Sequence, residues 1–590
     1  MSGIGAIFQF DGGPVDSGAL SRMAVHLKPR GPDGVRTWTT PGIGLVHAHF
    51  WTTPEDVGEE QPICSPCGRH WIVADARLDN RDDLLAALDS VTRSSTDAEI
   101  ILAAYDKWGD DCGAKLEGDF GFVIWDAPQR RVLAVREPIG TRLLHYASVP
   151  GGLVIGSTSG AVVAALDRVP DQNRPYIHDY LQGRMSRWTT ETPHQGVFRL
   201  MQSYALTATA SGYRTRRYYV IGESRPEPWR NREEAAEQFT ALFERAVRAT
   251  LRIRTPAAIL LSGGLDSSAI ACQADKLIAE GKAAGPLSGY SAVFPRTPTA
   301  DERQYLDAVL QSCETVVPIL VPSDDCGQSP DPSDYPQDEL EWPIIIKLLR
   351  SLLLRARQDG QRVMLNGIFG DQVLGGGVYC VPLTILDVGP SRWPSELPFY
   401  RRAAGGSTRR LLNVFARASL KTAARPLLAA EPLAAADLDS HCARHIYESF
   451  CRQSHYFVGR DVMGAYAGVE QRYPFANRRL LEFLIRVPGG WHFERGVQKM
   501  MLRDGLRGVL PESIRCRRGK IVFNDVFVSP FDYKKPTESR IVNEKYMSDR
   551  ALQTRLLRHR QQGSYRSWFM ARRLQAVERW LGGRERAVQA

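Results

Sequence analysis

The stretch ILLSGGLDSSAI, residues 259–270, decides how the rest of the chain is read. An apolar run ending at Leu261 reads as a buried strand, two glycines permit a tight turn, and a helix is expected to open at Asp266 or Ser267. Backbone N–H groups of such a turn point inward, and the helix start adds partial positive charge. With the hydroxyls of Ser262, Ser267 and Ser268 they make a cradle for a multiply charged anion. No Gly-Lys-Ser/Thr follows, so this is not the Walker loop that positions a γ-phosphate.

Outward from this loop the pattern differs on its two sides. Downstream, a helix carries Ile270, Ala274, Leu277 and Ile278 on one face, and YSAVF (290–294) and RVMLN (362–366) follow as strand candidates. Strand, loop and helix in alternation predict a parallel sheet with crossover helices, mainly helical from about residue 340. Upstream, the first 165 residues are mostly short strand-like segments: GIGLVHAH (42–49), HWIVADARLD (70–79), DFGFVIWD (119–126), RVLAVRE (131–137) and GLVIGS (152–157). In DFGFVIWD both alternate sets are apolar, Phe120, Phe122 and Ile124 against Val123 and Trp125. That predicts a strand buried on both faces of a layered domain. TDAEIILAAYDKWG (96–109) supplies helical cover, with Thr96 as N-cap, Glu99 at N3 and Gly109 closing it. The polar stretch IGESRPEPWRNREE (221–234) reads as the linker between a domain over 1–220 and one over 221–590.

Bulk properties narrow the class. A chain of 590 residues exceeds one core, and 43% hydrophobic with 24% charged residues is ordinary for a soluble globular protein. No apolar run approaches the roughly 20 residues that span a bilayer, and the start lacks a basic n-region, so the expected location is the cytoplasm, with no membrane insertion. The net charge of +9 sits largely in arginine-rich stretches, which read as solvated helix faces rather than a nucleic-acid site. Ten cysteines are scattered. Cys64 and Cys67 form a CxxC pair with no second pair at ribbon spacing, and they read as a reduced surface loop.

The SGGLDS loop, together with three later segments, resembles the N-type ATP pyrophosphatases and, within them, the asparagine synthetase group. VMLNGIFGDQVLGG (363–376) is similar to the family's second ATP segment, with Asp371-Gln372 where the family has Asp-Glu. GVEQRYPFANRRLLEFL (468–484) resembles its Glu-x-Arg-x-Pro-Phe segment, and QKMMLRDGLRGVLPESIRCRRGK (498–520) its Lys-x-x-Leu-Arg stretch with a downstream lysine. The resemblance implies an ATP- and Mg²⁺-dependent ligase that activates a carboxylate as an acyl-adenylate. Leu261, Ser262, Gly263, Gly264, Asp266, Ser267, Ser268, Val293, Asn366, Gly367 and Gly370 would bind the nucleotide, Asp266 and Asp371 would hold the metal, and Lys499, Lys520, Glu470 and Arg472 would serve catalysis. The implied fold is an Ntn-hydrolase-like αββα domain followed by a parallel-sheet PP-loop domain with a largely helical C-terminal part.

The N-terminal half resembles the group's class II glutamine amidotransferase domain through RGPDG (30–34), Gln61-Pro62, LEGDFGFVIWD (116–126) and REPIGTRLLHYA (136–147). Its working parts differ. Ser2 stands where the family has its nucleophilic cysteine, Asp75, Ala76 and Arg77 replace Asn-Gly-Glu, and His49 falls at the arginine that clamps glutamine, while Asp97 persists. Loss of glutaminase activity is expected, so the attacking nitrogen must come from the substrate. The Ser2 start, ADARLDNRDDLL (74–85) and SAVFPRTPTADERQYLDAV (291–309) look most like the lasso peptide macrolactam synthetases, and the Arg/Ala-rich region 391–425 is a further hint of a peptide cradle. That branch implies a leader-free precursor peptide as substrate, with a leader-recognition protein and a cysteine protease as partners. Ammonia-using amidation of aspartate, β-lactam synthesis and a non-catalytic binding protein are the alternatives.

Overall fold

A computed structural model describes residues 1–184, 190–222, 229–297, 301–323, 338–340, 346–375, 393–403, 440–451, 454–518, 539–548, 550–552 and 565–589, with single positions 387, 409, 416, 438 and 554. Its strands are β1 (Gly3–Gln9), β2 (Gly34–Thr40), β3 (Ile43–His49), β4 (Ile63–Cys64), β5 (His70–Leu78), β6 (Gly118–Asp126), β7 (Arg131–Arg136), β8 (His145–Val149), β9 (Gly152–Gly156), β10 (Val197–Arg199), β11 (Tyr204–Thr209) and β12 (Gly212–Arg217) in the first half. The second half holds β13 (Ala258–Leu260), β14 (Leu287–Val293), β15 (Val316–Pro322), β16 (Val363–Leu365), β17 (Glu470–Arg472), β18 (Phe493–Glu494) and β19 (Val497–Gln498).

The first twelve strands form two antiparallel sheets, ordered β10-β8-β9-β1-β3-β2 and β12-β11-β7-β6-β5-β4. β6 shows why they stack. Val123 and Trp125 join Ile4, Phe8 and Leu45 between the sheets, while Phe120, Phe122 and Ile124 face outward onto Ile100, Ile101 and Ala104 of the helix Asp97–Trp108. A strand with period-two apolar residues on both sides is stable only when each face is covered, and truncating Phe122 to Ala would cost about 3–5 kcal/mol. That covering helix starts and stops as its residues dictate, with a complete Thr96–Glu99 capping box and Gly109 at φ 57. Ser17–Leu27 and Ser159–Ala164 cover the other sheet, completing an αββα sandwich.

The second half is built on a five-stranded sheet, β15-β14-β13-β16-β17, parallel throughout. The helix Leu265–Ala279 follows β13 and buries Ile270, Ala274 and Leu277, while Ile278 is partly buried against the same core. Chain order reverses at β13, with β14 on one side and β16 on the other. In an open α/β sheet the crevice beyond the carboxyl ends at such a point is where ligands bind. The remaining described elements are mainly helical, and none of the helices is long and apolar enough to cross a membrane. Of the linker stretch, Ile221 packs into the core of the second half and a helix begins at Arg232, capped by Asn231; 223–228 lie outside the described residues.

Ion pairs with little solvent access tie the halves together. Arg30 reaches Asp461 with both guanidinium nitrogens at 2.6 and 2.8 Å, and Arg252 donates to Glu55 at 2.6 Å and to Asp97 at 2.5 Å.

Candidate active site

The loop after β13 folds as its glycines allow. Gly263 sits at φ 72, and a Cβ there would lie 3.0 Å from the Leu306 nitrogen and 3.1 Å from the Tyr305 Cβ, so only glycine fits without movement. The hydroxyl of Ser267 accepts from the Ser262 nitrogen at 3.2 Å and donates to the Gly264 carbonyl at 3.2 Å, locking the turn. Ser268 Oγ is buried and, among the described residues, has no hydrogen-bond partner. The helix opens at Leu265, one residue before the expected start.

The segment after β16 packs onto this loop. Gly367 lies against the backbone of Asp266 and Ser267, and a Cβ on Gly370 would fall 2.5 Å from the Asp266 carboxyl carbon. Asn366 holds the turn, its side-chain oxygen accepting from the Ile368 nitrogen at 3.1 Å and its amide donating to Gln471 at 3.2 Å. Leu261 and Val293 are buried at the ends of the two neighbouring strands, where the Leu261 nitrogen donates to the Tyr290 carbonyl.

Lys499 enters from the hairpin β18–β19. Its ammonium donates to both carboxylate oxygens of Asp266 at 2.7 and 2.6 Å and lies 2.5 Å from Asp371. Burial pulls its pKa down, but Asp266 and then Asp371 outweigh that and hold it above the usual lysine range. Lys499 at φ 60 and Phe369 at φ 75 both occupy the left-handed region, a costly conformation for non-glycine residues that is retained where the surroundings impose it. The two carboxylates converge on one cation from different segments, and hard oxygens of this kind fit Mg²⁺.

The expected residues do not all meet. Lys520 lies outside the described residues. Glu470 and Arg472 belong to a second cluster, between the halves. Glu470 pairs with the Met1 amine, with Arg142 at 3.2 Å and with Arg472 at 2.7 Å, while Arg472 donates to the Thr250 and Arg252 carbonyls and to Thr52 at 3.0 Å. None of these bonds goes to the Lys499 cluster. Burial disfavours the Glu470 charge, yet Arg142, the terminal amine and Arg472 together hold its pKa well below the ordinary carboxylate range.

Arg517, with no expected role, and Arg503, the arginine of the Lys-x-x-Leu-Arg stretch, both hold the loop region. Arg517 donates to the Gly263 carbonyl at 3.1 Å and to Glu302 at 2.6 Å, and lies 3.6 Å over the Tyr305 ring. Arg503 donates to the carbonyls of Gln498 and Arg517 at 2.8 Å each, fixing the segment that runs toward position 520. The only trace of Arg517 in the sequence is its place three residues before Lys520 in CRRGK.

At the other end of the interface, Ser2 lines a cavity with Met1, His47, Gln61, Asp75 and Glu470, among others. Its volume is about 20 Å³, room for one water. Asp75 accepts from the Ser2 nitrogen at 3.0 Å and lies 3.3 Å from the Met1 amine. Ser2 Oγ accepts from the Phe50 nitrogen at 3.1 Å. Asp97, the one expected glutamine ligand retained, is taken up by Arg81, Arg252 and the Leu78 nitrogen. His49 is buried with its Nδ1 2.6 Å from that of His47. Beside them, burial and the neighbouring Asp97 push Asp56 up to about 6, and burial with Asp56 pushes Glu59 up to about 7.

Comparison with known proteins agrees with this division. Residues 238–582, more than half the chain, match the asparagine synthase family model, and residues 1–219 match that of a glutamine amidotransferase domain. The chain belongs to the asparagine synthase family. Among curated relatives, "Asparagine synthetase [glutamine-hydrolyzing] 3" of Bacillus subtilis (strain 168) is 26% identical over 527 residues, covering 85% of this chain and 83% of that protein. "Asparagine synthetase [glutamine-hydrolyzing] 1" of the same organism is 21% identical over 548 residues, 85% of this chain and 82% of the other. "Amidase chyE" of Penicillium rubens is 26% identical over 263 residues, 43% of this chain and 38% of the other. Family membership makes the protein an ATP-dependent carbon–nitrogen ligase.

Proposed function

We propose that the protein adenylates the side-chain carboxylate of an Asp or Glu in a leader-free precursor peptide and lets that peptide's N-terminal amine close a macrolactam, as lasso cyclases do. The observation that carries this reading is the small cavity at Ser2. It has room for a water and not for glutamine, its acids are already bonded to the protein, and Ser2 replaces the thiol. A synthetase without a glutamine-derived nitrogen can take its nitrogen from an amine already present on its substrate.

The chemistry fits the other cluster. A carboxylate is a poor electrophile, so its oxygen attacks the α-phosphorus of ATP, pyrophosphate leaves, and the resulting acyl-AMP has a good leaving group. The amine then attacks the acyl carbon, AMP departs, and the amine gives up its proton. Pyrophosphate departure concentrates negative charge, which the SGGLDS backbone and the Lys499 ammonium are placed to offset. Asp266 and Asp371 would hold Mg²⁺, which supplies charge neutralisation at the phosphates when bound. A tethered amine gains from its held geometry, worth up to about 7–11 kcal/mol when well aligned.

A second reading, ammonia-dependent amidation of aspartate or another small acid, draws on the names of the B. subtilis relatives. Pyrophosphate release from Mg-ATP separates the two. Synthetic peptides with a free amino terminus and one internal Asp or Glu should trigger it, whereas aspartate with ammonium or glutamine should not. Release with aspartate and ammonium, and none with peptides, would replace the first reading with the second.

A further inference from the structure

We propose that Cys67, His70 and Asp106 form a zinc site in the N-terminal half, remote from the ATP chemistry. The three come from two elements. Cys67 stands on the turn between β4 and β5, His70 opens β5, and Asp106 lies in the last turn of the helix Asp97–Trp108. The turn is closed tightly: Gly68, at φ 73, donates to the Ser65 carbonyl at 2.8 Å, Ser65 donates to the His70 carbonyl at 2.8 Å, and the His70 nitrogen donates to Ser65 Oγ at 3.1 Å. With the turn closed in this way, one ligand atom from each of the three residues falls within 4.8 Å of the others.

Two further observations point to a cation. His70 is nine-tenths buried. Its Nδ1 lies 2.6 Å from Asp106 Oδ1 without the angle of a hydrogen bond, and among the described residues it has no other hydrogen-bond partner. Behind the ring, Nε2 faces the buried Asp126 carboxylate at 3.8 Å, and Asp126 is itself fixed by the Tyr105 hydroxyl at 2.8 Å and the Gln129 nitrogen at 3.0 Å. A carboxylate 3.8 Å behind the ring needs only a small shift to accept the Nε2–H bond that orients a metal-binding imidazole. Cys67 Sγ is 3.1 Å from Ser65 Oγ and accepts from Arg69 Nε at 3.3 Å, contacts that favour the thiolate; binding sends the thiol proton to solvent.

The donor set selects the ion. Thiolate, imidazole and carboxylate suit tetrahedral zinc with water in the fourth place, at metal–ligand distances of about 2.0–2.3 Å, and a thiolate does not suit calcium or magnesium. The site is not the CxxC pair of the sequence. Cys64 pairs with Trp71 across the strands and shares its face, while His70, one residue earlier, points to the other. A bound ion would pin the β4–β5 turn to the covering helix and so brace Gln61, which lines the Ser2 cavity just before β4.

The test is a Zn²⁺ and Co²⁺ titration of the chelator-treated full-length protein, with a chromophoric chelator as competitor. One ion per chain should bind, with a thiolate-to-cobalt charge-transfer band and a raised melting temperature. Cys67→Ser should abolish the band and Asp106→Asn should weaken zinc binding at least about tenfold. Asp126→Asn should weaken it about tenfold through the imidazole, and Cys64→Ser should change nothing. Cys67 is on an exposed turn, so its variant should keep the wild-type circular dichroism; should it not, Asp106→Asn carries the test. No zinc uptake by the wild-type chain, or uptake indifferent to Cys67→Ser and Asp106→Asn, would overturn the proposal. So would dependence on Cys64.

Discussion

The Lys499 cluster and the Glu470 cluster are built from the same kinds of group and end up doing opposite things. Around Lys499, two carboxylates share one ammonium, the Asp371 side chain is 44% exposed, and a buried serine hydroxyl nearby has no partner among the described residues. Around Glu470, the Met1 amine, Asp75, Arg142 and Arg472 are each less than a tenth exposed, and the adjoining cavity holds no more than a water. A cluster with one carboxylate open to solvent, as Asp371 is, can redistribute its charge onto an incoming phosphate. Charges enclosed and mutually paired fix geometry, and removing one partner strands the others in a poorly solvated place. On the function proposed above, one of the two sites reacts and the other serves as a joint between the halves.

That contrast can be broken in four places. The largest effect belongs to Asp266→Ala, which removes the carboxylate shared by loop and lysine. ATP-to-AMP turnover should fall by roughly 10²–10³-fold or more with an unchanged circular dichroism spectrum, and full turnover would contradict the loop's role. Glu470→Gln comes next: with Arg142 and Arg472 left without their carboxylate, urea denaturation should show a loss of about 3–5 kcal/mol.

The third effect is a pH dependence arising at the joint. Asp56 and Glu59 hold their protons more tightly folded than unfolded, at about 6 and about 7. Their contribution is therefore complete below about pH 4 and is lost as pH rises through 6 to 7. Chemical denaturation should show stability falling across that window by up to about 3 kcal/mol for each group, and Glu59→Gln should flatten the slope. Smallest of all is Ser2→Ala, for which product formation measured by mass spectrometry should not change.

What could be read from the residues follows the range of the interactions. Local signals were faithful. The Thr96–Glu99 box, the two-faced strand β6, the glycine turn at 263–264 and the helix bearing Ile270, Ala274 and Leu277 all appear where their sequence places them. These depend on a few consecutive residues and a period of 2 or 3.6. β15, VVPILVP, had no expectation because Val317 and Leu320 are exposed and its two prolines disguise the pattern. Placement of Glu470 and Arg472 was not legible, because their partners Met1, Thr52 and Arg142 are more than 300 residues away in the chain. Sequence distance also hid Arg517, whose hold on Gly263 spans 254 positions.

The most direct test of the account is a single mass-spectrometric experiment with a carboxylate-¹⁸O-labelled peptide, Mg-ATP and amide-¹⁵N glutamine. The account predicts ¹⁸O in the released AMP and no ¹⁵N in the cyclised product. AMP without ¹⁸O, or a product carrying ¹⁵N, would contradict it.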